Sequence, residues 1–145
     1  MRVRVADAAD AAAVATLLAH LGYPAEAAEI PDRLAAVSAA AGAVLLIGEP
    51  SGPALGLVGL HAFPVLHAAA PVAYITALVV APEARGRGVG RALVAAAEEW
   101  ALRSGCGRLT VTSAERRADA HAFYPAAGLP YTGRRFSRPL SHGAR

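Results

Sequence analysis

Residues 77–105 read ALVVAPEARGRGVGRALVAAAEEWALRSG, and the order of elements in this stretch decides the fold. An apolar run, Ala77 to Val80, ends at Pro82 and predicts a buried strand. From Val89 the period changes: Val89, Leu93, Ala97, Trp100 and Ala101 recur on one helical face, which stops near Gly105. The turn between them alternates arginine with small residues. The first N–H groups of a helix have no intrahelical partner and sit at the positive end of its dipole. Gly86, Gly88 and Gly90 let backbone approach a ligand closely, and Arg85, Arg87 and Arg91 add charge and planar donors. By chemistry alone the turn suits a pyrophosphate or similar anion; the plainer alternative is a solvated arginine surface on a common type of turn. The spacing is not Gly-x-Gly-x-x-Gly, and a phosphate loop needs a lysine that the chain lacks.

Outward from this stretch, helices interleave with strands. RVRV at 2–5 is a short strand, and Asp7 with Asp10 three residues on predicts a capping box before a helix whose buried face carries Val14, Leu17, Leu18 and Leu21. Gly22 and Pro24 end it. Ile30, Leu34, Val37 and Ala41 share one face of a second helix, which either starts near Pro31 or kinks there. AVLLIG, ALGLVGLHAFPVL (with glycines that weaken or bulge it) and PVAYITALVV then form an antiparallel meander. RLTVTS is a further strand, RRADAHAFYPAAG a short helix, and YTGRRFSRPL a final extended segment. Residues 1–145 are expected to form one mixed domain, a meander leading into a strand-helix-strand crossover.

Composition bounds the function. The chain is 55% hydrophobic and 17% charged, too apolar for disorder. Acids, prolines and arginines interrupt every apolar run before the roughly 20 residues of a membrane span, and no secretory leader is expected. A single cysteine, Cys106, agrees with a reducing cytoplasm. Net charge is +3, but every basic residue is arginine and Lys, Asn and Gln are absent, the mark of a GC-rich coding sequence. Charge therefore argues weakly for nucleic acid. Arg134, Arg135 and Arg138, with Phe136 between them, read better as an edge strand guarded by charge.

The spacing Leu78-x-Val80-x-Pro82-x-x-Arg85-Gly86-x-Gly88-x-Gly90, followed by AHAFYPAAGL at 120–129, resembles the GNAT superfamily of acetyl-CoA-dependent N-acetyltransferases. The resemblance spans the chain. It implies an α/β (α+β) fold: a mixed, mostly antiparallel central sheet flanked by helices, with a splayed pair of parallel central strands. It implies that backbone from Arg85 through Arg91 (Arg85, Gly86, Arg87, Gly88, Val89, Gly90, Arg91) holds the pyrophosphate of acetyl-CoA. Leu78, Val79 and Val80 would pair with the pantetheine arm, with an N–H near Val80 polarising the thioester carbonyl. Tyr124 would protonate the departing thiolate. Arg117 stands where the family often has Asn and, with Arg116, would contact a cofactor phosphate or cap a surface turn. Pro125 departs from the pattern, because proline disfavours helix in the preceding residue.

The acyl transfer this implies is direct, from acetyl-CoA to a primary amine by general acid/base catalysis, without a covalent intermediate. Cys106 reads as an ordinary small residue, not an acyl carrier. The strand AYITALVV offers no acid to serve as base; His61, His67 and His121 are candidates, each with a structural alternative. A His61–His67 metal pair is rejected for want of a supporting Cys or carboxylate cluster. Tyr23, Glu26 and Glu29, in LGYPAEAAEIPD, lie where the family builds a wall of the acceptor site, and the acceptor is a small amine or a protein amino group. The residues lead to the expectation of a cytoplasmic enzyme without metal, nucleic acid or membrane partner, and the resemblance adds that dimers are common in the family, so a homodimer is a possible assembly. The alternative is a non-catalytic acyl-CoA-binding sensor.

Overall fold

The computed structural model describes residues 1–112, 118–133 and 135–141, the side chains of 118–121 excepted. They fall into two compact units, Met1–Val111 and Thr112–Arg145.

In the first unit five strands form one sheet in chain order: β1 (Arg2–Val5), β2 (Gly42–Gly48), β3 (Ala54–Phe63), β4 (Val72–Val80) and β5 (Arg108–Val111). Neighbours are antiparallel except β4 and β5, which run parallel because a helical crossover, α3 (Val89–Arg103), joins them. This is the mixed, mostly antiparallel sheet that the resemblance implies.

The remaining helices begin and end where their sequences dictate. Asp7 Oδ1 accepts from the Ala9 N–H at 2.9 Å, and the Asp7 N–H donates to Asp10 Oδ2 at 2.9 Å. This box caps a short 3-10 turn that runs into α1 (Ala11–Leu21). Gly22 closes α1 in the left-handed region, φ 103°, its N–H donating to Ala19 O. Pro31 occupies the first turn of α2 (Ile30–Ala39), where its missing N–H costs no hydrogen bond, so the helix starts there and does not kink.

Register places the helices on both faces of the sheet. A Cβ on Gly56 would lie 3.0 Å from Leu93 Cδ1 and 3.1 Å from Val89 Cγ1, so α3 presses on that face. Gly42, on the other face by alternation from Ile47, the partner of Gly56, meets Val37 Cγ1 of α2 in the same way at 2.8 Å. Between the layers Ile30, Leu46, Ile47, Leu57, Val58, Leu60, Val89 and Leu93 are wholly buried, each contributing about 1.5–3 kcal/mol of transfer free energy.

Two irregularities interrupt the ladders. In β3, Leu55 is passed over between the pairs Ile47↔Gly56 and Gly48↔Ala54, beside a glycine as expected. The other falls in β4: Gly59 pairs with Ala77 and Leu60 with Ile75, leaving Thr76 as an extra residue. β3 ends at Phe63, because Pro64 withholds a ladder donor, and not at Leu66.

The second unit holds α4 (Ala118–Ala126). Pro125 lies one residue before its end, so Tyr124 stays helical. The turn closes by Leu129 N–H to Tyr124 O at 2.8 Å and by Gly128 at φ 94°. No strand occurs among the described residues of 129–141, which corrects the expected edge strand. Pro130 and Pro139 carry no N–H, and without ladder bonds the alternating side chains remain outside a sheet.

Arg4 grips Asp10 in a two-pronged ion pair of 2.6 and 2.8 Å, and these hydrogen bonds hold the Asp10 carboxyl at about 2. The folded chain therefore binds this proton less readily than the unfolded chain, and the stabilisation is full above about pH 4 and fades towards pH 2. Asp10→Asn should cost about 1–2 kcal/mol at neutral pH, after allowance for the exposed Arg4, and urea melts of variant and wild type should converge through that window. Ala41 is held at φ 60°, where a Cβ costs about 1 kcal/mol. Ala41→Gly should accordingly leave the protein equally or more stable, by up to about 1 kcal/mol in the same melts.

Candidate active site

β4 is paired on both edges for only part of its length. β5 runs beside Val72–Ile75 and ends at Val111, while β4 continues to Val80. From Thr76 onward it has β3 on one side and no strand among the described residues on the other. The Ala81 N–H donates to Leu55 O at 2.8 Å, so by alternation the backbone of Val79 also faces β3. The N–H and C=O groups of Leu78 and Val80 consequently point to the open edge. Val79 instead buries its side chain in the core at 6% exposure.

The chain then enters the turn. Ala81 and Ala84 are buried, anchoring a 3-10 turn at Pro82–Ala84 from which the following residues stand out. Gly86 and Gly88 take φ 78° and 79°, the left-handed region in which a side chain is strained. Gly88 occupies the cap of α3, its carbonyl accepting from the Ala92 N–H at 3.1 Å, with no side-chain cap. Among the described residues no acceptor takes the N–H groups of Gly86 through Arg91. Val89 is buried and pins the first turn of the helix; Arg85, Arg87 and Arg91 are exposed and make no ion pair among the described residues.

Bare amides at the positive end of a fifteen-residue helix, ringed by guanidinium groups, fit an anion. Exposed strand backbone at Leu78 and Val80, separated from Gly86 by the buried 3-10 turn, fits an amide-bearing arm laid along it. The two features are continuous in the chain. Together they match the chemistry of a pyrophosphate joined to a pantetheine arm.

The other residues of interest divide. Tyr124 is half-buried in α4, its ring edge-on to Phe123 at 5.4 Å. Tyr23 is 63% exposed after α1, Glu26 is exposed, and Glu29 caps its own turn and pairs with Arg33 at 3.3 Å. His61 is half-buried on β3, opposite Tyr74 of β4, and His67 is exposed. Arg116, Arg117, Arg134 and the side chain of His121 lie outside the described residues. Cys106 packs with Ala73 and Ala101, and burial pushes its thiol pKa up, away from the reactive thiolate. Sequence reasoning passed over Tyr74 and Thr76, the polar side chains of β4; their only signal was polarity inside an apolar run.

The family model for the acetyltransferase (GNAT) family matches residues 12–129. Among curated proteins, aminoglycoside N(6')-acetyltransferase type 1 of Stenotrophomonas maltophilia is 33% identical over 147 residues, covering 98% of this chain and 95% of the relative. Aminoalkylphosphonate N-acetyltransferase of Salmonella typhimurium is 36% identical over 90 residues, 62% of this chain and 58% of its own length. Among solved structures, an acetyltransferase of Trypanosoma brucei superposes with TM-score 0.82 at 25% identity, covering 96% of this chain and 99% of that one. The same fold recurs at TM-score 0.80 and 21% identity, over 97% and 98% of the two chains, in AAC(6')-Iy in complex with the bisubstrate analogue CoA-S-monomethyl-acetylneamine. With a family model over most of its length and a full-length relative, the chain belongs to the acetyltransferase (GNAT) family.

Proposed function

We propose that this chain is a single-domain N-acetyltransferase that moves an acetyl group from acetyl-CoA directly to a primary amine. The observation that carries the reading is open backbone at Leu78 and Val80, leading through one short turn to the amides of Gly86 through Arg91, both without partners among the described residues. The family model crosses from one compact unit into the other, which supports one domain. The N-acetyltransferases among the relatives act on amines by their names, an aminoglycoside in one and an aminoalkylphosphonate in another. No described helix is long and apolar enough to cross a membrane.

Acetyl-CoA, when bound, supplies an acyl carbonyl already activated as a thioester. Everything else falls to the chain. The amides of the turn, with Arg85, Arg87 and Arg91, bind the pyrophosphate. Leu78 and Val80 would hold the pantetheine arm as a neighbouring strand does, and the Val80 N–H, on the open edge, would donate to the thioester carbonyl oxygen as negative charge develops there. Tyr124 Oη gives its proton to the departing sulfur. The acceptor amine must lose a proton to attack, and His61, on the strand next to β4, is the group that takes it, directly or through water. Two substrates held in line suffice for acyl transfer, so no covalent enzyme intermediate is needed, and buried Cys106 plays no part.

A thiol-release assay with acetyl-CoA and a panel of primary amines tests this. Tyr124→Phe should lower kcat about 10- to 100-fold with acetyl-CoA affinity unchanged, and an unaltered kcat removes the tyrosine from the mechanism. Arg85→Ala should weaken acetyl-CoA binding about three- to tenfold in calorimetry, the loss shrinking in high salt. Should no amine stimulate release while acetyl-CoA still raises Tm, the protein binds the thioester without turning it over.

A further inference from the structure

A glycine inside a strand weakens it, and a buried one is kept where another group comes too close for a side chain. Gly56 is buried in β3, flanked by Leu55 and Leu57, and is the Cα partner of Val80 on β4. Three atoms fill the space its side chain would take. A Cβ on Gly56 would lie 2.8 Å from Val79 O, 3.0 Å from Leu93 Cδ1 and 3.1 Å from Val89 Cγ1.

The three contacts are not equivalent. Leu93 Cδ1 and Val89 Cγ1 end side chains, which can give by a few tenths of an ångström. Val79 O is main chain and is fixed by pairing on both sides of Gly56: Leu57 and Val79 are Cα partners, and the Ala81 N–H donates to Leu55 O at 2.8 Å. A side chain at position 56 therefore has to displace a backbone carbonyl.

That carbonyl shares a peptide with a group of the proposed reaction. Val79 C=O and Val80 N–H belong to one planar trans unit, in which the two bonds point in opposite directions. The carbonyl faces β3 and the N–H faces the open edge of β4, so any tilt that relieves the first re-aims the second. Val89 and Leu93, on the helix side of the same space, seat the first turns of α3. One absent side chain thus lies against both the strand edge and the helix that presents the turn amides.

We infer that Gly56 is a positioning residue for acetyl transfer: the space it leaves fixes the tilt of the Val79–Val80 peptide, and with it the aim of the Val80 N–H. This rests on the acetyl-transfer reading of the edge. Gly56 acts through the peptide and not on a substrate. A donor stabilises developing charge only from the right place, so a small tilt lowers the rate of the chemical step more than it weakens the binding of either substrate.

The test sets Gly56→Ala beside Gly48→Ala, whose added Cβ would meet a backbone carbonyl just as closely, Pro53 O at 2.7 Å, but in the turn between β2 and β3. Thiol release from acetyl-CoA is timed with neamine as an amine probe and with water as the only acceptor, and the Val80 amide proton is followed by NMR with acetyl-CoA and with CoA. In the wild type this proton should lie further downfield with acetyl-CoA, whose carbonyl takes its hydrogen bond. Gly56→Ala should shrink that difference and lower kcat about tenfold or more, with KM for neamine and affinity for acetyl-CoA changed less than about threefold. Gly48→Ala should lower Tm and leave kcat and the Val80 difference as they are. If Gly56→Ala does not fold, Gly56→Ala/Val89→Ala, which clears Cγ1 but keeps the carbonyl contact, should show the same losses against Val89→Ala alone. An unchanged Val80 difference with full kcat in the Gly56 variant, or an equal loss in Gly48→Ala, overturns the positioning role. A wild-type Val80 amide that does not distinguish acetyl-CoA from CoA would instead strike the underlying reading of the edge, and the positioning role with it.

Discussion

A strand must find partners for the hydrogen-bonding groups on both of its edges, and β4 does so for only half its length. Val72–Ile75 lie between β3 and β5; from Thr76 no strand among the described residues lies on the β5 edge. Unpaired backbone is costly away from water. Here the exposed groups precede, across a buried 3-10 turn, the amides from Gly86 to Arg91, which have no acceptor among the described residues. One side of the sheet thus carries two consecutive stretches of unspent backbone, and both need the same architecture. β5 must arrive parallel by way of α3 and stop early, and α3 must start from a turn that presents its amides outward.

What holds that arrangement is apolar packing beneath it. Ala81, Ala84, Val89 and Leu93 are buried around the turn, alternating with exposed Glu83, Arg85, Arg87 and Arg91. The small alanines allow the chain to lie close to the sheet, while Val89 and Leu93 seat α3 over Gly56. The glycines at 86 and 88 bend the chain by positive φ and meet no neighbouring atoms within 4 Å. Rigidity therefore comes from the residues facing inward. The outward ones are left to meet a ligand without reorganisation, which is the condition for oriented amides to stabilise charge.

Much of this was legible in the sequence because the relevant signals are local. Pro82 after an apolar run, Gly22 and Gly105 at helix ends, Pro31 in a first turn and the Asp7–Asp10 box act through the residues beside them. The bulge at Thr76 was not legible. It exists only as a relation between two strands, and nothing in YITALV distinguishes a residue that pairs from one that is passed over. The expected strand near 131–140 failed for a related reason: alternating side chains permit a ladder without supplying its partner, and two prolines remove donors from the segment. Tyr74 and Thr76 were missed because an apolar strand hides a polar face until its register with His61 and Phe63 is known.

The same distinction separates the two halves of the proposed reaction. The thioester side is read chiefly by backbone, whose geometry demands particular glycines and a proline at fixed spacing, so it leaves a motif. Side chains brought together from two strands across a bulge, as His61, Phe63, Tyr74 and Thr76 are, leave none. Such a row can change its chemistry by substitution at His61, Phe63, Tyr74 or Thr76 without disturbing β3 or β4, since all four lie outside the wholly buried core. An aminoglycoside enzyme and an aminoalkylphosphonate enzyme both resemble this one chain. A group of half-exposed side chains whose proximity is created by pairing has, for that reason, no contiguous signature.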